Sequence, residues 1–503
     1  MTATAPARGT ADLRALARGG VLNIVAAGFG ALAQFAIVVV LTRGFSKHSA
    51  GVFFAATTVF LVGAALARLG TDVGLVYFIA RSRALGRAGR AAAYVRVAVP
   101  AVLGAAVAAG AGIYAAAPWL ADVALDGAGG EGVRYLRALA VFLPAAVLSD
   151  TALAATRGFR AMRPTALTES IGRQAVQLAA LAAAAVAGAT WSLGLGWAGP
   201  YLLSAVVAVL WLRSLMRGTG DGAAEPGTAR EFWRYTAPRA VASLAQIVLQ
   251  RFDIVLVASL LGPVQAAVYT AATRFVVVGQ IGNQALGQAV QPQLSEVLSR
   301  GDLRGARELY QTATSWLVLL TWPVYLLFAA FAPHALRLFG PGYQDGATVV
   351  VVLSLTMLFA TICGQVDTVL IMAGKTSWNL ANIVLAMSVN IAADAVLIPR
   401  MGITGAAVGW SIGLVVKNAV PLVQIAVALR LHPFGRGTLT AAALAALCLG
   451  VPPLVPRLLG GGLVPLAAAG ALGAAGYAAA CLRARDLLKL DRLRRVRRGT
   501  AAP

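Results

Sequence analysis

The chain has 503 residues, of which 59% are hydrophobic and only 12% charged, with a mean hydropathy of +0.78. A soluble domain carries about 25% charged residues, so composition excludes that class. The net charge of +23 comes from cations in short pieces between apolar runs, without interleaved aromatics, which signals membrane topology and lipid contact and excludes nucleic acid as the partner.

In chain order, residues 1–20 form a polar, basic segment, expected to be cytoplasmic. The apolar run after it has a full span's length and reads as a retained helix rather than a signal peptide. Runs of ~20 apolar residues cross a bilayer core as helices. Fourteen are predicted, at about 21–41, 52–69, 97–120, 136–155, 164–187, 194–215, 238–261, 264–290, 313–331, 347–373, 378–398, 402–426, 439–455 and 463–481. With the N-terminus inside, inner segments hold 30 Lys and Arg, outer segments 7, and five lie within spans. That asymmetry places both termini in the cytoplasm. The tail 482–503 keeps leucines at helical spacing among basic residues and is expected to lie along the inner leaflet as a surface helix.

The string "VYTAATRFVVVG" at 268–279 repeats "VFFAATTVFLVG" at 52–63, with six of twelve positions identical at an offset of 216. The same offset aligns Gln34 with Gln250, Val39 with Val255 and Ala50 with Ala266. It equals six helices with their loops, an even number, so both copies cross in the same direction as parallel repeats. The expected fold is therefore an all-α polytopic membrane protein. It has an N-lobe over 21–215, a cytoplasmic linker over 216–237, a C-lobe over 238–426, two extra helices within 439–481 and the basic tail. The substrate site is expected in a central cavity between the lobes.

The charges within spans require an account, since a charge at bilayer depth costs a few kcal/mol and normally faces a cavity or a partner. Arg251 lies twelve residues before Pro263 and Arg274 eleven after it, which puts both roughly 16–18 Å deep. Asp253 sits at nearly the same level, and Lys417 is deep in the twelfth span. Gln280, Gln284 and Gln288 recur every four residues below Arg274, with Asn283 beside them. Arg274, Arg251, Asp253, Lys417, Gln280, Asn283 and Gln284 are thus the candidate cavity residues, with Thr58 as the neutral counterpart of Arg274 in the first repeat. Asp150, Glu169 and Arg173 are possible coupling or structural charges, the last two an i,i+4 pair. Arg68 and Asp72, also i,i+4, lie near the inner end, where snorkelling suffices. Asp367 and Asp394 are read as interfacial.

No catalytic residue, metal site or cofactor is expected. Cys363, Cys448 and Cys481 lie singly in apolar stretches, and His48, His334 and His432 are scattered. The outer loops are short and glycine-rich, and no phosphate-binding loop is present, so an enzyme is not expected.

Three stretches carry a family likeness. "YTAPRAVASLAQIVLQRFDIVLVASLLG" followed by "AVYTAATRF", "LRLFGPGYQDGATVVVVLSL", and "NIVLAMSVNIAADAVLIPRMGITGAAVGWSIG" with Asn390, Pro399, Gly402 and Gly405 resemble polysaccharide and lipid-linked oligosaccharide flippases. These belong to the multidrug/oligosaccharidyl-lipid/polysaccharide exporter superfamily, and the similarity spans roughly residues 15–480. The resemblance implies translocation of a lipid-linked anionic saccharide across the cytoplasmic membrane by alternating access, the phosphate being read by arginine. It also implies membrane lipids as partners, with a polysaccharide polymerase or glycosyltransferases as further candidates. A lipid II-type flippase and a drug/cation antiporter are the alternatives.

Overall fold

The computed structural model describes residues 8–125, 129–217, 227–459 and 462–490, all helices, turns and short connections with no strand among them. The middle of the expected linker and most of the basic tail lie outside these residues. By packing, the chain divides into two compact units, 1–267 and 268–503.

Unit 1 begins with α1 (Arg8–Gly44), which starts earlier than the first predicted span. The Ser46 side chain then caps α2 (Lys47–Ala67), accepting from the Ser49 N–H at 3.0 Å. At Gly70 the chain turns through φ +72° into α3 (Thr71–Ala84). A side chain at Gly70 would also strike the Thr236 carbonyl at 2.7 Å. No span is predicted over this stretch. It folds as a helix because Leu75, Phe78 and Ile79 are buried on one face of it.

Next come α4 (Ala88–Ala115), α5 (Ala117–Ala124), α6 (Gly129–Val141) and α7 (Leu143–Gly158). The last two meet at a bend of 41°, where Pro144 removes a backbone donor. A π-helical segment, Thr165–Arg173, runs into α8 (Gln174–Val186), followed by α9 (Leu193–Ala198), α10 (Pro200–Met216) and α11 (Thr228–Leu261). Helix α11, expected to open the C-lobe, packs on α2 and α3 and is grouped with unit 1. The core here is aromatic, with Phe78 stacked on Tyr94 at 4.6 Å and Phe232 tilted beside them at 5.6 Å.

Helix α12 (Pro263–Ser299) opens with proline at its first turn, where no donor is lost, and carries the chain into unit 2. Asp302 caps α13 (Leu303–Leu336), and α14 (Ala347–Ile362) breaks at Gly364 (φ +73°) before α15 (Val366–Met372). Helices α16 (Thr376–Met401) and α17 (Ile403–Ala428) form an extensively packed hairpin. The chain then makes α18 (Arg436–Ala445), α19 (Val451–Leu458) and α20 (Leu463–Arg483).

Among the described residues, eleven helices are long and apolar enough to cross a membrane, twelve when the bent α6–α7 pair counts as one span. Fourteen were expected. The other two predicted spans are helical but polar: Glu169, Arg173, Gln174 and Gln177 crowd the first half of one, and Arg274 with Gln280, Asn283 and Gln284 the other. The expected surface helix lies mostly outside the described residues. Residues 484–489 are turns, because Leu488 is drawn into the unit 2 core and the Trp316 Nε1–H donates to its carbonyl at 3.0 Å.

Candidate functional site: charged networks within the two units

In unit 1 four charged side chains and a tyrosine converge. Arg68 leaves the C-terminal end of α2 and places Nη1 3.1 Å from Oδ2 of Asp150 on α7, both side chains about one-fifth exposed. Arg68, expected only to snorkel near the inner end, is thus held by a partner on another helix. Glu169 and Arg173 make the expected i,i+4 pair at 3.7 Å. They do so on the π-helical segment, whose wider turn suits Gly172; a Cβ there would lie 2.9 Å from the Leu167 carbonyl. Arg173 also sits over the Tyr201 ring at 4.4 Å. Such pairing offsets the several kcal/mol that each buried ion would otherwise cost. A cleft of about 200 Å³ opens beside Arg173, with Thr168, Ser204 and Trp211 in its wall.

The other two unit 1 candidates lie on α11. Arg251 is half-buried, and Asp253 is buried with Oδ1 accepting the Ile254 N–H at 2.9 Å.

Unit 2 holds the remaining candidates. Arg274 is half-buried on α12, donating from Nε to the Thr270 carbonyl at 3.3 Å and from Nη2 to Thr273 Oγ1 at 3.4 Å. Its repeat counterpart Thr58 donates to the Phe54 carbonyl at 3.0 Å, again four residues back. Below Arg274, Gln280 and Asn283 are half-buried and Gln284 is exposed, while the Gln288 side chain lies outside the described residues. Asn283 is held by Gln365, whose Nε2 donates to the Asn283 carbonyl at 2.9 Å and to its Oδ1 at 2.6 Å.

Lys417 is not a lone cation: its Nζ lies 3.3 Å from Oδ2 of Asp367 on α15. Asp394, read as interfacial, is fully buried and accepts from Asn390 Nδ2 at 3.0 Å. Asn382 and Gln424 exchange two amide hydrogen bonds at 2.7 and 3.1 Å across the α16–α17 hairpin. The sequence reading missed Tyr201, Gln365 and the Asn382–Gln424 pair. Only Gln365 carried a signal, a polar residue beside Gly364 inside an apolar run.

Several solved structures share this fold. The lipid II flippase MurJ in an inward closed conformation superposes with a TM-score of 0.74 at 13% identity, covering 93% of this chain and all of that one. An inward-facing multidrug resistance MATE family transporter of the MOP superfamily gives 0.65 at 17% identity, covering 80% and 94%. A MOP superfamily transporter from Pyrococcus furiosus, reported with a binding pocket of reversed polarity, gives 0.57 at 17% identity, covering 85% and 99%. No curated protein sequence matches. The helices and these likenesses define a multi-pass membrane protein with the fold of MOP superfamily transporters. Within that class, the chain belongs to the polysaccharide biosynthesis protein family, whose profile matches residues 40–345.

Proposed function

We propose that the protein is a flippase that moves an anionic lipid-linked saccharide, a polysaccharide precursor, from the inner to the outer leaflet of the cytoplasmic membrane by alternating access. Both termini are cytoplasmic in this reading, as the distribution of Lys and Arg favours. The observation that carries it is membership of the polysaccharide biosynthesis family together with Arg274, a half-buried arginine on α12 above the polar row Gln280, Asn283 and Gln284. A guanidinium matches phosphate oxygens as a planar fork. Arg251, Asp253 and Lys417 contribute to the same task, Lys417 on release from Asp367. Asp150, Glu169 and Arg173 serve as coupling or structural charges. A polymerase or glycosyltransferases would be its partners.

Likeness to MurJ over 93% of the chain favours a second reading, a lipid II-type precursor as cargo. Proteoliposomes containing a fluorescent undecaprenyl-pyrophosphate saccharide test the proposal. The labelled head group should become accessible to an external quencher faster than in protein-free vesicles, and equal rates overturn the reading.

A further inference from the structure

Outside these networks, α3 and the first turns of α11 flank an open pocket of about 340 Å³ at one end of unit 1. Three arginines, Arg81, Arg234 and Arg239, face it with one carboxylate, Glu231. Glu231 is already engaged: Arg81 Nη1 lies 3.3 Å from its Oε1, and the Tyr94 hydroxyl donates to its Oε2 at 3.0 Å. The pocket keeps an excess of positive charge. Its aromatic wall is ordered as well. Tyr77 stacks on Tyr235 with centroids 4.4 Å apart and planes 15° from parallel, and the Arg239 guanidinium sits 3.6 Å from the Tyr235 ring centre. Tyr77 nevertheless stays 41% exposed. Phe78 and Phe232, both buried, fix the two helices beneath, so the polar groups stand on a rigid base.

Arginines beside an open tyrosine face combine two kinds of recognition. The guanidinium forks take phosphate oxygens by charge-assisted hydrogen bonds. The tyrosine offers an apolar face, with a polar tip, to the C–H face of a sugar ring. We propose that this pocket binds a sugar phosphate, the head-group chemistry of a lipid-linked saccharide, as a site separate from Arg274. The proposal rests on the flippase reading for its source of ligand. Its chemistry also fits a free hexose phosphate.

Full-length protein in phosphatidylcholine nanodiscs is titrated with glucose 1-phosphate. Arg234→Ala and Tyr77→Ala should each weaken binding, the first by about tenfold. Glu231→Gln should tighten it, because the competing carboxylate is removed while the Tyr94 hydroxyl keeps an acceptor; an unfolded variant cannot produce that sign. Nanodiscs doped with phosphatidylglycerol separate sugar phosphate from lipid phosphate. Full competition by phosphatidylglycerol with a silent Tyr77→Ala overturns the proposal, as does unchanged binding in Arg234→Ala. Wild-type protein that binds glucose 1-phosphate as expected but moves no lipid-linked saccharide would sink the flippase reading and leave the pocket standing. Normal transport without pocket binding does the reverse.

Discussion

Ser149 Oγ lies 2.7 Å from Ser204 Oγ, joining α7 to α10 within unit 1. In unit 2 the hydroxyls of Thr356 and Ser411 lie 2.7 Å apart and join α14 to α17. Both pairs are 55 residues apart in sequence, and each member of the second falls 207 positions after its counterpart. Each clasp joins spans at matching places in the expected lobes, the fourth to the sixth and the tenth to the twelfth. Their offset of 207 residues is close to the 216 of the expected repeat.

Equivalence predicts equal energetics. Ser204→Ala and Ser411→Ala should each destabilise the purified protein by about 1 kcal/mol, as hydroxyl hydrogen bonds between membrane helices do. Thermal unfolding in detergent measures both, and a several-fold difference would mean that the clasps are not equivalent.

The Arg68–Asp150 ion pair revises the expectation that Arg68 matters little. Either single substitution to alanine leaves a largely buried charge behind and should cost about 1–3 kcal/mol. Removing both should cost less than the sum. A double-mutant cycle followed by unfolding and transport would show additive losses if the two side chains did not interact.

Arg274→Ala should abolish translocation of the lipid-linked saccharide while expression stays normal. Arg274→Lys should restore part of it, since an ammonium keeps the charge but lacks the fork. The readout is outer-leaflet appearance of the saccharide in cells. Full transport by the alanine variant would confine Arg274 to a structural role.

Gln365 bridges the break between α14 and α15 to Asn283 on α12. Gln365→Ala should lower transport with a stability loss of about 1 kcal/mol, and Gln365→Glu should lower transport further because a carboxylate cannot donate to Asn283. Wild-type rates in Gln365→Glu would show that this contact does not position α12.

The chain after α20 is held to unit 2 by Leu488, by the Trp316 hydrogen bond and by Lys489 on Glu308 at 2.5 Å. Truncation after Arg483 should therefore lower the melting temperature below that of the protein truncated after Leu490. Equal stability of the two truncations would assign these contacts no energetic weight.

Hydropathy made most spans legible because a bilayer forces long apolar runs. Charges announced themselves for the same reason, being rare at depth. Their partners did not. Asp150 stands 82 residues from Arg68, with no periodicity connecting them, and Asp367 looked interfacial until the break at Gly364 placed it beside Lys417. Helix α3 was hidden because its apolar run, 73–80, is too short for a span and ends at Arg81 and Arg83. The assignment of α11 to unit 1 rests on packing against α2 and α3, which no local pattern encodes.

The π-helical run Thr165–Arg173 spans five residues per hydrogen bond where an α-helix spans four, so it holds surplus chain for its rise. Loss of one residue there is absorbed by relaxation to α-helix, and α8 keeps its orientation. The same deletion inside α8 would swing every side chain on one side of it by about 100°. Sequence length can thus vary next to Glu169 and Arg173 without disturbing the rest of the bundle, which makes this the place in unit 1 where close homologues are free to differ by one residue.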